Sequence, residues 1–287
     1  MKIGVVFPQT EIGDDPSVLR DYIQTAEGLG YDYVLCYDHV LGANPEREGG
    51  WQGPYTYQDM FHEPFVTYAY MAAITQRIQF VTGILILPQR QTALVAKQAA
   101  QLDRLSGGRL RLGIGIGWNR VEYEALNEDF SNRGQRSEEQ VIVLRELWTK
   151  PLVNFKGKYH TISDAGINPM PIQQPIPIWF GGSADAALRR MARLGDGWMP
   201  NSAPIERLKP TYEKLKQYLT EAGRDFSQFG LDIRIHYHQH SLADFPRVID
   251  HWRQFGATHL CVNTMGGGAQ GSAHIQLIKQ FWNALHR

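Results

Sequence analysis

The residues best suited to chemistry sit at junctions where an apolar run gives way to glycine or a polar group. Asp38 and His39 follow the apolar run 31–37. Histidine exchanges a proton near neutral pH, so His39 suits proton transfer or the holding of a polar ligand edge; a turn histidine bonded to backbone is the plainer reading. Gly181-Gly182-Ser183 joins the run 175–180 to a helical pattern starting at Ala184. Free N–H groups and the helix dipole favour an anion at such a place. The glycines let a backbone come close and Ser183 offers a hydroxyl donor; a tight turn capped by Ser183 is the alternative. Residues 109–118 alternate, with Leu110, Leu112, Ile114 and Ile116 on one side and Arg111, Gly113, Gly115 and Gly117 on the other. Each glycine weakens a strand. A face without side chains therefore suits a flat ligand or another backbone, or else a crowded barrel corner. The spacing is not that of the dinucleotide-binding loop. His236, His238 and His240 alternate along residues 231–240, but no carboxylate or cysteine cluster accompanies them, so a polar lining is expected rather than a metal site. No G-x-S-x-G elbow, P-loop or H-E-x-x-H is present.

The elements that must position these groups alternate. Short runs rich in β-branched residues cover 2–8, 31–37, 78–85, 109–118, 175–180, 197–199, 231–237 and 259–263. Helical patterns cover about 16–29, 64–75, 93–105, 121–126, 135–148, 184–194, 204–222, 244–255 and 273–285. Asp14 or Asp15 caps the first with Pro16 in its first turn, and Gly30 ends it. Eight strands alternating with helices predict one α/β domain over residues 1–287, a (β/α)8 barrel with insertions at the C-terminal face of the strands. An open doubly wound sheet is the runner-up, disfavoured because no dinucleotide loop follows the first strand. Two segments break the rhythm. Residues 41–64 hold Trp51, Tyr55, Tyr57 and Phe61 among glycines and prolines and suit a lid over the barrel mouth, with a plain surface insertion as the alternative. Residues 150–175 are irregular, with a small hairpin around KGKYHTISD. In such a barrel the active site lies at the strand C-termini. That rule selects Pro8–Gln9, Asp38, His39, Gly83, Ile84, Gly117, Trp118, Asn119, Gly181 to Ser183, Asn201, His236–His240 and Asn263–Gly267, with Gly115 on the bare face just before.

Lys+Arg and Asp+Glu each number 29, and no basic stripe is evident, which argues against a nucleic-acid partner. No apolar run spans a bilayer and no secretory leader precedes the first strand, so no membrane partner and a cytoplasmic location are expected. Cys36 and Cys261 sit in apolar runs and read as buried free thiols of a reducing compartment.

Several runs resemble the bacterial luciferase-like superfamily. They are residues 84–118, with Pro88, Arg90, Ala96-Lys97, Leu102-Asp103, Leu105-Ser106-Gly107-Gly108-Arg109 and Gly113-x-Gly115-x-Gly117-Trp118; Pro177-Ile178-Trp179-x-Gly181-Gly182; and Ala192-Arg193-Leu194-Gly195-Asp196-Gly197-Trp198. Trp118 with Glu122-Tyr123-Glu124-Ala125-Leu126 is most similar to the branch of probable coenzyme F420-dependent oxidoreductases. The resemblance implies a barrel that binds FMN or the 5-deazaflavin F420, its ring in the barrel mouth and its phosphate at a glycine-rich loop. It also implies a bulge or a non-proline cis bond at Gly83–Ile84, supporting the ring from behind. Flavin members oxygenate a substrate, usually with reduced flavin from a partner reductase; deazaflavin members transfer hydride. Relatives that oxidise alcohols carry a carboxylate near Trp118, where this chain has an indole that exchanges no proton; Glu122, one turn on, is a weak substitute. The expected protein is an oxidoreductase acting on a small organic substrate. His39 is catalytic, and Asp38, Gly83, Ile84, Gly115, Gly117, Trp118, Asn119, Gly181, Gly182 and Ser183 contact F420 or FMN. A flavin or F420 reductase is the expected partner, and relatives are often homodimers. The alternative is a non-catalytic flavin- or deazaflavin-binding protein on the same barrel.

Overall fold

The computed structural model describes residues 1–286. The chain opens with β1 (Lys2–Val6), α1 (Pro16–Leu29) and β2 (Tyr33–Cys36). Asp15 caps α1 by accepting from the Ser17 amide at 2.8 Å, and Gly30 closes it in the left-handed conformation at φ 106°. Then come α2 (Pro64–Ala73), β3 (Gln79–Thr82), β4 (Leu85–Ile86), α3 (Thr92–Ser106), β5 (Leu110–Gly115), α4 (Arg120–Ala125) and α5 (Arg133–Thr149). Residues 150–175 contain the expected antiparallel hairpin, β6 (Val153–Lys156) with β7 (Thr161–Ala165). The second half runs β8 (Ile178–Gly181), α6 (Asp185–Leu194), β9 (Gly197–Met199), α7 (Ile205–Glu221), β10 (Gly230–His236), α8 (Phe245–Phe255), β11 (His259–Asn263) and α9 (Ala273–Leu285).

The main sheet is parallel throughout, in the order β3-β2-β1-β11-β10-β9-β8-β5-β4, and β3 also pairs with β5. That extra pairing closes the sheet, and since β3 and β4 are two parts of one strand, the result is the eight-stranded barrel rather than the open sheet. The expected third strand, residues 78–85, is broken at Gly83–Ile84, where the peptide bond is cis. β2 is shorter than the apolar run 31–37, and β10 stops at His236. Residues Tyr237–Gln239 form a single 3-10 turn, so His236, His238 and His240 do not share a strand face. His238 instead contacts the Thr264 carbonyl at 3.1 Å. Among the described residues no cluster of three metal-ligating side chains occurs, and no helix is long and apolar enough to cross a membrane.

Alternation along the strands divides the core in two. Val5, Val34, Phe80, Leu112, Ile178 and Leu260 face the helices, while Val6, Leu35, Val81, Trp179, Met199 and Cys261 fill the barrel. At the N-terminal end of the barrel Arg111 pairs with Asp232 at 2.9 Å, and Tyr33 donates to the same carboxylate at 2.6 Å. The Arg111 guanidinium lies 4.1 Å from the Trp179 ring centroid. Gly197 and Gly230 make room for that indole, since a Cβ at either would run into it. The base is thus plugged, and the open space lies at the other end.

Candidate active site

A cavity of about 510 Å³ opens among the C-terminal ends of the strands. Tyr37, Asp38 and His39 after β2, the Gly83–Ile84 break, the end of β5 and Gly181 to Ser183 after β8 all border it. Sequence order had scattered these groups, and barrel closure brings them to one mouth.

His39 sits in the wall with its side chain 12% exposed, beside Glu122 at 1%. Its Nδ1 is 3.0 Å from Glu122 Oε1. The same oxygen accepts from the Val40 amide at 2.9 Å, and Oε2 accepts from Gln89 Nε2 at 3.2 Å. Burial works to raise the Glu122 pKa, but the hydrogen bonds from His39, Gln89 and Val40 outweigh it and hold the carboxyl below its usual range. Glu122 is therefore a carboxylate that only accepts, which assigns the Nδ1 proton to His39 and leaves Nε2 with its lone pair free. Aromatic rings surround the imidazole: Tyr55 at 5.0 Å, Phe61 at 4.8 Å and Trp118 at 5.9 Å between centroids.

Tyr55 and Phe61 belong to segment 41–64, which folds over this part of the cavity. Its ordering is local. Ala43 bridges to Thr56, Trp51 Nε1 donates to the Tyr55 carbonyl at 2.6 Å, and Trp51 packs on Trp118 with centroids 5.7 Å apart. Buried Gln9 ties the far end down by donating to the Tyr37 and His62 carbonyls at 3.1 and 2.9 Å.

The glycine face of β5 is not left bare. Thr82 carbonyl and Met199 occupy the space beside Gly113, Ile84 lies over Gly115, and Ile86 over Gly117. Gly115, Gly117 and Trp118 still border the cavity, so the close approach serves this chain's own side chains first. Ile84 also rests against Gly181, where an added Cβ would stand 3.1 Å away. The carbonyl of Gly83 accepts from Arg234 Nη1 at 3.3 Å.

Two of the expected contact residues serve other ends. Asp38 borders the cavity, but its carboxylate is committed to Arg90 at 2.8 Å and to the Ile86 amide at 2.9 Å, tying β2 to β4. Asn119 lies outside the cavity wall, and its side chain caps α4 by accepting from the Val121 amide at 3.0 Å. At the other end Gly182 has φ 96°, and its carbonyl accepts from Trp198 Nε1 at 2.7 Å. Ser183 and Ala184 lead into α6 with no side-chain cap.

Sequence reasoning missed Glu122 as the partner of His39, and it missed two arginines in the cavity wall, buried Arg190 and half-buried Arg234. Arg234 lies inside the barrel on β10, its guanidinium 5.4 Å from the Tyr37 ring centroid. Burial pushes the Tyr37 phenol up to about 12, with Arg234 opposing. The one signal available was the alternation of Asp232, Arg234 and His236 with Leu231, Ile233 and Ile235 along β10.

The luciferase-like monooxygenase profile matches residues 1–257. An uncharacterised protein of Mycobacterium tuberculosis is 41% identical over 209 residues, 70% of this chain and 71% of that protein. The F420-dependent glucose-6-phosphate dehydrogenase of Amycolatopsis mediterranei is 34% identical over 216 residues, 70% of this chain and 58% of that enzyme. Among solved structures, an F420-dependent secondary alcohol dehydrogenase in complex with an F420–acetone adduct superposes with a TM-score of 0.80 at 20% identity, over 99% of this chain and 98% of that one. The chain belongs to the luciferase-like monooxygenase family.

Proposed function

We propose that the chain is an oxidoreductase that holds F420 or FMN in this cavity and acts there on a small organic substrate. The observation that carries this reading is the order of groups along one cavity. A strand–helix junction suited to an anion stands at one end, the Gly83–Ile84 step and the end of β5 form a wall, and the His39–Glu122 pair lies under an aromatic lid. A cavity of about 510 Å³ is in the range of cofactor and ligand pockets. The residues fit the group. Backbone at Gly115 and Gly117 comes close to the space, Ile84 presents an apolar face, and Gly182 and Ser183 precede a helix N-terminus.

When bound, the cofactor supplies or accepts hydride, or, as a flavin, activates oxygen. The protein's part is separate. Glu122 fixes the tautomer and direction of His39, which takes or returns the substrate proton at Nε2. Tyr55 and Phe61 pack on the imidazole and shield one side of that exchange from water. The reading extends to a flavin or F420 reductase that renews the cofactor, to a homodimer, and to the cytoplasm, where the buried thiols of Cys36 and Cys261 stay reduced.

Absorption and fluorescence titration of the protein with FMN and with F420 tests the binding, followed by turnover with candidate alcohols, aldehydes and heterocycles. Saturable binding with substrate-dependent oxidation or reduction of the cofactor is expected. Binding without turnover across a broad screen would point to a storage protein, and no binding of either would remove the reading.

A further inference from the structure

Arg190 is a buried cation in the cavity wall whose one close carboxylate among the described residues is shared with a second arginine. The residue is 6% exposed and its Nε is buried without a hydrogen-bond partner. Its one carboxylate neighbour among the described residues, Glu138, stands 3.3 Å from Nε and is shared with Arg193, which holds the other oxygen at 2.8 Å. Burial draws the Arg190 pKa down and Glu138 offsets this only in part. A buried charge is costly unless it is paired, and a guanidinium offers a planar fork of donors that matches phosphate oxygens.

The fold sets this fork beside the junction after β8. Ala187 and Arg190, one turn apart on α6, both border the cavity. Gly182, Ser183 and Ala184, just before the first turn of that helix, line the same cavity. On the other flank Gly134, in the first turn of α5, lies so close that a Cβ there would stand 3.0 Å from Nη2. Asp185 in the first turn of α6 would oppose an anion, but its carboxylate is engaged by Lys214, by Arg189 at 3.0 Å and by Tyr218 at 2.6 Å.

We propose that Arg190 reads the cofactor's phosphate, binding it together with the backbone amides of Gly182 and Ser183, and so selects phosphorylated over dephosphorylated cofactor. This rests on the reading of the cavity as a flavin or deazaflavin site.

The test compares affinities of the full chain for FMN and riboflavin by fluorescence, and for F420 and its phosphate-free deazaflavin chromophore. Wild type should prefer the phosphorylated member, and inorganic phosphate should compete with it and not with the phosphate-free one. Arg190→Leu should cut that preference by about 10–100-fold, as loss of a charge-assisted hydrogen bond does, while affinity for the phosphate-free member stays within about twofold and so reports an intact site. Glu138→Gln frees the fork and should raise the preference severalfold, a gain that a misfolded variant cannot imitate. A preference unchanged in both variants overturns the role of Arg190 and leaves the cofactor reading standing. Equal wild-type affinity within each pair overturns the phosphate assignment alone, and no binding of any of the four overturns both.

Discussion

His39 owes its direction to a carboxylate 83 positions away, and the pairing makes two substitutions informative. His39→Ala should lower turnover by roughly 10²–10⁴-fold while leaving most of the cofactor affinity, because the imidazole exchanges a proton and holds no phosphate. Glu122→Gln keeps the shape but can hydrogen-bond through its NH2 to the wrong imidazole tautomer, so kcat should fall by roughly 10²-fold with Kd for the cofactor little changed. Steady-state kinetics beside a binding titration separates the two parameters, and a Glu122→Gln enzyme with wild-type kcat would leave His39 without its orienting partner. His39 was legible because it follows a strand. Glu122 was visible only as a weak stand-in for a carboxylate at Trp118, since a helix position says nothing of what lies across a barrel mouth. Asn119 shows how one position can carry two readings. Its position after the strand suggested a ligand contact, yet a side-chain oxygen two residues before a helical N–H is also the signature of a cap, and the cap is what forms.

At the scale of elements, the alternation and the cap of α1 were readable, and the strand pairing that closes the barrel was not. Both the barrel and the open sheet satisfy the same run of strands and helices; the β3–β5 pairing that decides between them joins residues about 30 apart through a register the sequence does not display. The lid and the junction proposed to hold phosphate each carry a prediction. Gly42 packs against the backbone of Thr56, where no Cβ fits, and this contact adjoins the Ala43–Thr56 bridge. Gly42→Val should therefore release segment 41–64 while the barrel stays folded. Limited proteolysis is expected to cut within the lid many times faster than in wild type, with KM for substrate raised, and equal resistance would show that the aromatic contacts alone hold it. Gly182, at φ 96°, lies where a branched side chain is strained by about 1–3 kcal/mol. Gly182→Val should shift the loop and weaken binding of FMN or F420 at least tenfold, with the far-ultraviolet circular dichroism unchanged. Retained affinity would move the phosphate elsewhere.

The whole molecule carries its candidate active site at one end and a polar plug at the other, and the plug makes stability depend on pH. His259, the first residue of β11, lies against Trp179 and Tyr33 with ring centroids at 4.9 and 5.8 Å. Burial, helped by the positive charges of Arg111 and Lys2, pushes its pKa down to about 3. In the unfolded chain the same imidazole titrates near 6.5. Above pH 6.5 both states are neutral and the packing of the ring contributes in full. As pH falls from there toward 3 the unfolded chain takes a proton that the folded chain refuses, so stability is lost across that window and levels off below it. The loss from this one group reaches about 2 kcal/mol at pH 5, at the linkage rate of about 1.4 kcal/mol per pH unit. Buried carboxylates such as Glu122 add their own decline at lower pH, so the measurement must be a difference. His259→Gln removes the titrating group but keeps a polar side chain of similar reach. Urea unfolding at pH 7 and pH 5 should show wild type more stable than the variant at pH 7, and the gap narrowed or closed at pH 5. A gap that stays constant would mean that the folded barrel binds the proton as readily as the unfolded chain, and that Arg111 and Asp232 compensate each other too well for their charge to be felt by the ring.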